Sequence, residues 1–274
     1  MKEERYLADY HMHSRVSPDA KPSMLDMVTA AAQAGLQEIC FTDHVEPTVF
    51  NSPVLRETDY DWEPMRQEYA EMQAAWKGDV VVRLGAEIGD APRDFARMER
   101  YLAQAPELDF IIGSVHALSE RFQYEGVFPF VPADEAEAHR EIADYLEQVQ
   151  LMAQWGQFDV LGHLTLPLRY LNELRGFHLT FDGYEAQVES ILRTLIANDC
   201  GIELNTNRGN APLPDEKWLR MYHDLGGERI TVGSDAHTPT MVGTAVVEGQ
   251  ALLKKCGFTK FCTFEKRRPI WHAL

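Results

Sequence analysis

Short runs rich in valine, isoleucine, leucine and phenylalanine recur along the chain, each followed by a longer stretch with apolar residues three and four apart. That alternation predicts an α/β protein with parallel strands covered by helices. Seven runs read as strands: Arg5 to Tyr10, Glu38 to Thr42, Val80 to Ala86, Asp109 to Val115, Asp159 to Gly162, Gly201 to Leu204 and Arg229 to Gly233. The helical stretches are Pro22 to Ala34, Tyr60 to Trp76, Ala133 to Trp155, Tyr184 to Asn198 and Asp215 to Leu225. Ser23 and Asp182 are expected to cap helix N-termini, and Gly35 and Gly226 to end helices. Val45 to Asp61 and Leu118 to Pro132 lack either period and read as long loops, the first on the functional face.

Composition narrows the class. The chain has 274 residues, 45% hydrophobic and 25% charged, with no linker rich in Gly, Pro or Ser, so one domain over 1–274 is expected and disorder is excluded. Lys plus Arg number 26 against 43 for Asp plus Glu; the formal charge of −17 repels nucleic-acid backbones and anionic lipid. Neither nucleic acid nor membrane is an expected partner, whereas a small phosphorylated substrate is compatible if metals or arginines reverse the potential inside a cleft. Cys40, Cys200, Cys256 and Cys262 form no CxxC pair and read as reduced core thiols. With no apolar segment behind the charged start MKEERYLADYHMH, the expected location is the cytoplasm.

Each apolar run ends on a metal-ligand or hydrogen-bonding type: His11-Met12-His13, Asp43-His44, Glu87, His116, His163, Asn205, and Asp235-Ala236-His237. In a parallel barrel or open sheet the carboxyl ends of the strands share one face, so these groups converge on one pocket. His-x-His on a strand also puts both imidazoles on one side. Singly, each has an ordinary structural explanation; together, six of the ten histidines at equivalent strand ends do not. His139, His178, His223 and His272 fall elsewhere and receive no role. Met24, Met27, Trp62, Met65, Tyr69 and Met72 read as packing residues, and Lys266-Arg267-Arg268 as a solvated end.

The motifs HMH, TDH, GAEIG, GSVH, GHL, ELNT and GSDAH, in this order, resemble the polymerase and histidinol phosphatase (PHP) superfamily of metal-dependent phosphoesterases along nearly the whole chain. The Asp43-His44 loop, Ile112 to His116, Gly162-His163 followed by Arg169, and Phe264 to Ile270 look most like its histidinol-phosphate phosphatases. The resemblance implies a distorted (β/α)7 barrel, TIM-barrel-like, with two to three divalent metals at the C-terminal ends of the strands. It implies one ligand set of His11, His13, Glu87 and Asp235, a second of Glu87, His116 and His163, and a third of Asp19, His44 and His237. Many superfamily members have a histidine where this chain has Asp19.

Mixed imidazole and carboxylate ligation without thiolate suits zinc, manganese or iron. Several cations in one pocket also clamp the oxygens of an in-line phosphoryl displacement. An arginine fork fits the remaining phosphate oxygens; Arg169 is the first candidate and Arg208 the second, with Ser14 and Arg15 as further contacts. Arg169, Asp235 and His237 are the catalytic candidates, an acid near Asp235 being placed to protonate the leaving alkoxide. In the Val45 to Asp61 loop, Glu46, Phe50, Glu57 and Asp59 offer a region for a cationic leaving group. The expected activity is hydrolysis of L-histidinol phosphate in histidine biosynthesis. The rivals are a phosphoesterase acting on nucleotides or another small ester, and a non-catalytic metal-binding regulatory module.

Overall fold

The computed structural model describes residues 5–274; the charged start of the chain, residues 1–4, lies outside the described residues. In chain order the elements are β1 (Ala8–Asp9), α1 (Met24–Gln33), β2 (Glu38–Phe41), β3 (His44–Val45), α2 (Glu63–Ala75), β4 (Val81–Gly89), α3 (Phe95–Ala103), β5 (Phe110–Ser114), α4 (Glu135–Trp155), β6 (Val160–Leu161), α5 (Glu185–Ala197), β7 (Gly201–Asn205), α6 (Glu216–Asp224), β8 (Ile230–Gly233), α7 (Val246–Lys255), β9 (Lys260–Glu265) and β10 (Arg268–Ala273). Seven parallel strands run in the order β1-β2-β4-β5-β6-β7-β8, with β3 added beside β4. A parallel bridge between Met12 and Ala236 brings the two ends of the sheet together, so the sheet nearly closes into the expected distorted barrel.

That closure is held by a buried carboxylate. Asp9 accepts from Ser234 N (2.8 Å), Ser234 Oγ (2.5 Å) and Gly243 N (2.8 Å), fastening β1 to the segment after β8. Burial raises the pKa of Asp9, while these donors favour its charged form. The loops after β1 and β8 carry five of the proposed ligands, so the same fastening sets their spacing.

The helices form where apolar residues recur at helical period, and Ser23 caps α1 through a reciprocal capping box with Asp26. Met24, Met27, Met65 and Met72 are buried, as packing residues should be. All four cysteines are buried and free. No described helix is long and apolar enough to cross a membrane.

Four features correct the sequence reading. Asp182 caps nothing: α5 starts three residues later, and Asp182 pairs with Lys217. The helices α3 and α7 lie where no helix was expected. The Lys266-Arg267-Arg268 run, with Lys266 and Arg268 exposed, is a turn and not an end. Lys266 and Arg267, with φ of 50° and 62°, make the tight turn of the β9–β10 hairpin. That turn docks on the N-terminal ends of β5 and β6, where Arg267 N donates to Asp109 O and the Arg267 guanidinium to Asp159. Phe264, fully buried and 4.9 Å from the Phe110 ring, helps fill this end of the barrel, opposite the loops that carry the candidate ligands.

Candidate active site

The strand register places the groups. His44 pairs with Glu87 across β3 and β4, and Glu87 pairs with Ile112 of β5, so three neighbouring strands aim at Glu87. Past β1, His13 N donates to Ala236 O while Asp235 N donates to His11 O, which interleaves the two loops that carry candidate ligands. Three residues in this region, Asp90, His163 and Asp235, hold positive φ (52°, 22° and 58°), a conformation that side chains other than glycine rarely adopt.

Four ligand atoms gather around one point. His11 Nε2 lies 3.3 Å from Glu87 Oε2 and 3.6 Å from Asp235 Oδ1; for His13 Nε2 the distances are 3.6 and 3.4 Å. Ligands about 2.1 Å from a common tetrahedral centre stand about 3.4 Å apart. His11 Nε2, His13 Nε2 and Glu87 Oε2 are buried without a hydrogen-bond partner, which burial penalises unless a cation joins them. The donor set and its spacing therefore fit a divalent metal. The other Glu87 oxygen, Oε1, lies 3.2 Å from His116 Nε2 and 2.9 Å from His163 Nε2, with the two nitrogens 3.4 Å apart. A third group forms around Asp19 Oδ2, 3.1 Å from His237 Nε2 and 3.6 Å from His44 Nε2. The structure thus brings all nine expected ligands together, with Glu87 shared between two groups.

Charge follows the same map. Burial raises the Glu87 carboxyl, but His11, His116 and His44 hold it well below the usual range. Burial also raises Asp235, yet Arg169 and His11 hold it low. The His11 imidazole is lowered by burial and raised more by Glu203, Glu87 and Asp235. His13, buried beside His237 and His44, is pushed down to about 3 and is neutral at physiological pH. Neutral imidazoles and ionised carboxylates are the forms that ligate metals.

The candidate phosphate groups divide. Arg169, almost buried, donates through Nε to Asn207 Oδ1 (2.8 Å), Nη1 to Asp235 Oδ2 (2.7 Å) and Nη2 to Asn205 Oδ1 (3.2 Å). A guanidinium has five N–H groups, so one remains on each terminal nitrogen, and Arg169 borders the cleft. Arg208 stands exposed at the cleft's rim. Ser14 and Arg15 do not join them. Ser14 is buried with Oγ on Asp43 (2.8 Å), and Arg15 turns away to Glu68 and Glu71. The chain reverses after His13, and the Asp43 carboxylate pins that reversal by also taking Ser17 Oγ (2.6 Å). The cleft, about 380 Å³, is further bordered by Glu46 and Phe50 from the 45–61 loop and by Tyr124 and Phe128 from the 118–132 loop. Asp59 instead faces Arg100, and neither it nor Glu57 borders the cleft.

Sequence reasoning missed the residues that orient the imidazoles. Glu203 Oε1 accepts from His11 Nδ1 (2.7 Å), and Oε2 accepts from His163 N (2.9 Å) and Asn205 Nδ2 (3.2 Å). Glu46 does the same for His116 Nδ1 at 2.7 Å. A Cβ on Gly233 would collide with the Glu203 carboxylate and His11, which accounts for glycine there. The signal for Glu203 was a glutamate inside the apolar strand Gly201-Ile202-Glu203-Leu204, on the same side as Asn205.

The PHP domain profile matches residues 9–207, most of the chain, including most of the gathered ligands. The chain belongs to the PHP domain family. Among PHP relatives, the histidinol-phosphatase of Lactococcus lactis subsp. lactis (strain IL1403) is 30% identical over 260 residues, 93% of each chain. A probable histidinol-phosphatase of Thermotoga maritima is 26% identical over 261 residues, covering 92% of this chain and 93% of that one. The crystal structure of the Lactococcus lactis histidinol phosphate phosphatase, complexed with zinc, L-histidinol and phosphate, superimposes with a TM-score of 0.78 at 26% identity, covering 97% of this chain and all of that one.

Within this PHP site, Glu203→Gln is a sharp probe. A carboxamide has one acceptor oxygen, and the two donors on the Oε2 side outnumber the one from His11. The amide NH2 then faces His11 Nδ1, driving the imidazole proton to Nε2, the atom aimed at Glu87 and Asp235. Metal affinity at that cluster should fall by about 10–100-fold in chelator competition. NMR of the metal-free protein, at a pH high enough to make the His11 imidazole neutral, should show the switched tautomer; wild-type affinity in the variant would refute the role.

Proposed function

We propose that this chain is a metal-dependent phosphomonoesterase that hydrolyses L-histidinol phosphate to L-histidinol and phosphate, acting in the cytoplasm in histidine biosynthesis through one domain spanning 1–274. The observation that carries this reading is the convergence of nine ligand-type side chains beside a partly engaged arginine fork, in a chain similar throughout its length to a phosphatase crystallised with zinc, L-histidinol and phosphate.

His11, His13, Glu87 and Asp235 would hold one metal, Glu87 with His116 and His163 a second, and Asp19, His44 and His237 a third, drawn from zinc, manganese or iron. When bound, such cations supply Lewis-acid charge and an activated water for in-line displacement at phosphorus. Arg169 offers its two remaining N–H groups to the phosphoryl oxygens, and its fork geometry orients the group for attack. Burial works against the Arg169 charge, but Asp235 and Tyr170 together more than offset it, so the guanidinium stays ionised. Asp235 thus serves both the ligand cluster and the arginine, and Arg208 meets the substrate at the rim. Imidazoles protonated in the metal-free cluster must release protons as metal enters, so affinity rises with pH.

The test pairs elemental analysis with phosphate release from L-histidinol phosphate. Chelation should abolish turnover, and returned zinc or manganese should restore it. A mononucleotide panel should react at least about tenfold more slowly. Full turnover after verified metal removal, or a preference for nucleotides, would overturn the proposal; bound metal with no turnover of any ester would favour the regulatory module.

A further inference from the structure

We propose that Asp90 is the seat for a positively charged nitrogen on the alcohol half of the substrate, and so decides which phosphate esters the cleft prefers. This rests on the phosphomonoesterase reading above and names the residue that would select the leaving group.

Asp90 follows β4 and is only 6% exposed, yet it borders the cleft. Its Oδ1 accepts from His116 N (2.7 Å) and Ala117 N (2.9 Å), which fixes the carboxylate in place. Its Oδ2 accepts from no described donor, and no described lysine or arginine lies within ion-pair distance of it. A carboxylate so enclosed, with one oxygen free, favours a cationic partner. The neighbouring acid, Glu46, already has an imidazole as ion-pair partner, His116 Nδ1 lying 2.7 Å from its Oε1, whereas no described histidine, lysine or arginine stands within ion-pair distance of Asp90.

The surroundings agree in charge and shape. Arg169 is anchored by Asn205, the last residue of β7, and Asp235, just after β8, whereas Asp90 and His116 follow β4 and β5 on another arc of the barrel. One region of the cleft is therefore cationic and another anionic, matching an ester with phosphate at one end and a protonated nitrogen at the other. Phe50, Tyr124, Phe128 and Tyr170 border the same cleft, and aromatic faces attract cations. Arg93 does not compete for the seat. It stacks on Tyr124 and lines a side chamber of about 80 Å³ next to Asp90, but does not border the main cleft.

Asp90→Asn separates the charge from the structural role. Asparagine oxygen can accept both backbone N–H groups as Asp90 Oδ1 does, and asparagine tolerates the left-handed φ of 52°. The readout is the ratio of kcat/KM for a cationic ester, L-histidinol phosphate, to that for 4-nitrophenyl phosphate, which has no cation. The ratio should fall at least about tenfold, mainly through KM of the cationic ester. Phosphoethanolamine, carrying only the ammonium, and an imidazolyl-alkyl phosphate without the amine identify the nitrogen; a drop confined to either class supports the seat. An unchanged ratio overturns it, whether both esters keep their rates or fall together through damage around His116. Should wild-type protein ignore L-histidinol phosphate, the substrate reading fails separately, and the phosphoethanolamine ratio still decides the role of Asp90.

Discussion

Replacing Glu87 with glutamine should remove two metals at once and lower turnover by roughly three orders of magnitude or more. The size of the effect comes from the sharing of one carboxylate. Oε2 faces His11 and His13 at 3.3 and 3.6 Å, and Oε1 faces His116 and His163 at 3.2 and 2.9 Å. Glutamine preserves the volume and can still accept from Ser114 Oγ, which lies 2.6 Å from Oε1, so the barrel should fold. It brings no charge and only one acceptor oxygen, so it cannot complete both groups. Elemental analysis should find both adjoining sites depleted while circular dichroism is unchanged. Glu87→Gln protein that retained two metal equivalents would show that the carboxylate does not bridge.

The convergence of the candidate ligands was legible because the fold repeats itself. Each apolar run ends where the next loop begins, and in a parallel barrel those ends meet at one rim; His11, Glu87, His116 and Asp235 could be read from position alone. Glu203 and Asp90 were not. Glu203 lies inside its apolar run, Asp90 sits past the first polar residue of its own, Glu87, and what each carboxylate touches depends on contacts across strands, His11 with Glu203 and His116 with Asp90, that no local pattern encodes. Ser14 and Arg15 fail for the converse reason. Adjacency to His13 implied the cleft, but the turn held by Asp43 sends one inward and the other toward α2. The hairpin was hidden because its turn is basic and looks like a tail. Its partners, Asp109 and Asp159, lie more than a hundred residues away. In α3, Phe95-Ala96-Arg97-Met98-Glu99-Arg100-Tyr101 sets three charged residues among its apolar ones, and only the burial of Met98 and Tyr101 discloses the packed face.

Arg169→Ala should lower kcat/KM for the phosphate ester by roughly 10²–10³, with metal content retained. The loss follows from what the guanidinium can still donate. Three of its N–H groups hold Asn207, Asp235 and Asn205, so the side chain has one orientation before substrate arrives. Pre-organised donors lose little entropy on binding and act most strongly where charge accumulates on the phosphoryl oxygens. Arg169→Lys tests geometry against charge. Lysine keeps the cation beside Asp235 but cannot present two parallel N–H groups, so it should recover only part of the loss. Inorganic phosphate supplies a second readout: as a competitive inhibitor it should weaken with both variants, because the missing contacts belong to the phosphate. If Arg169 merely buttressed Asp235, the alanine variant would shed metal, and phosphate inhibition of the remaining loaded enzyme would match wild type. That pattern, or catalysis within threefold of wild type, would assign the fork to structure instead of chemistry.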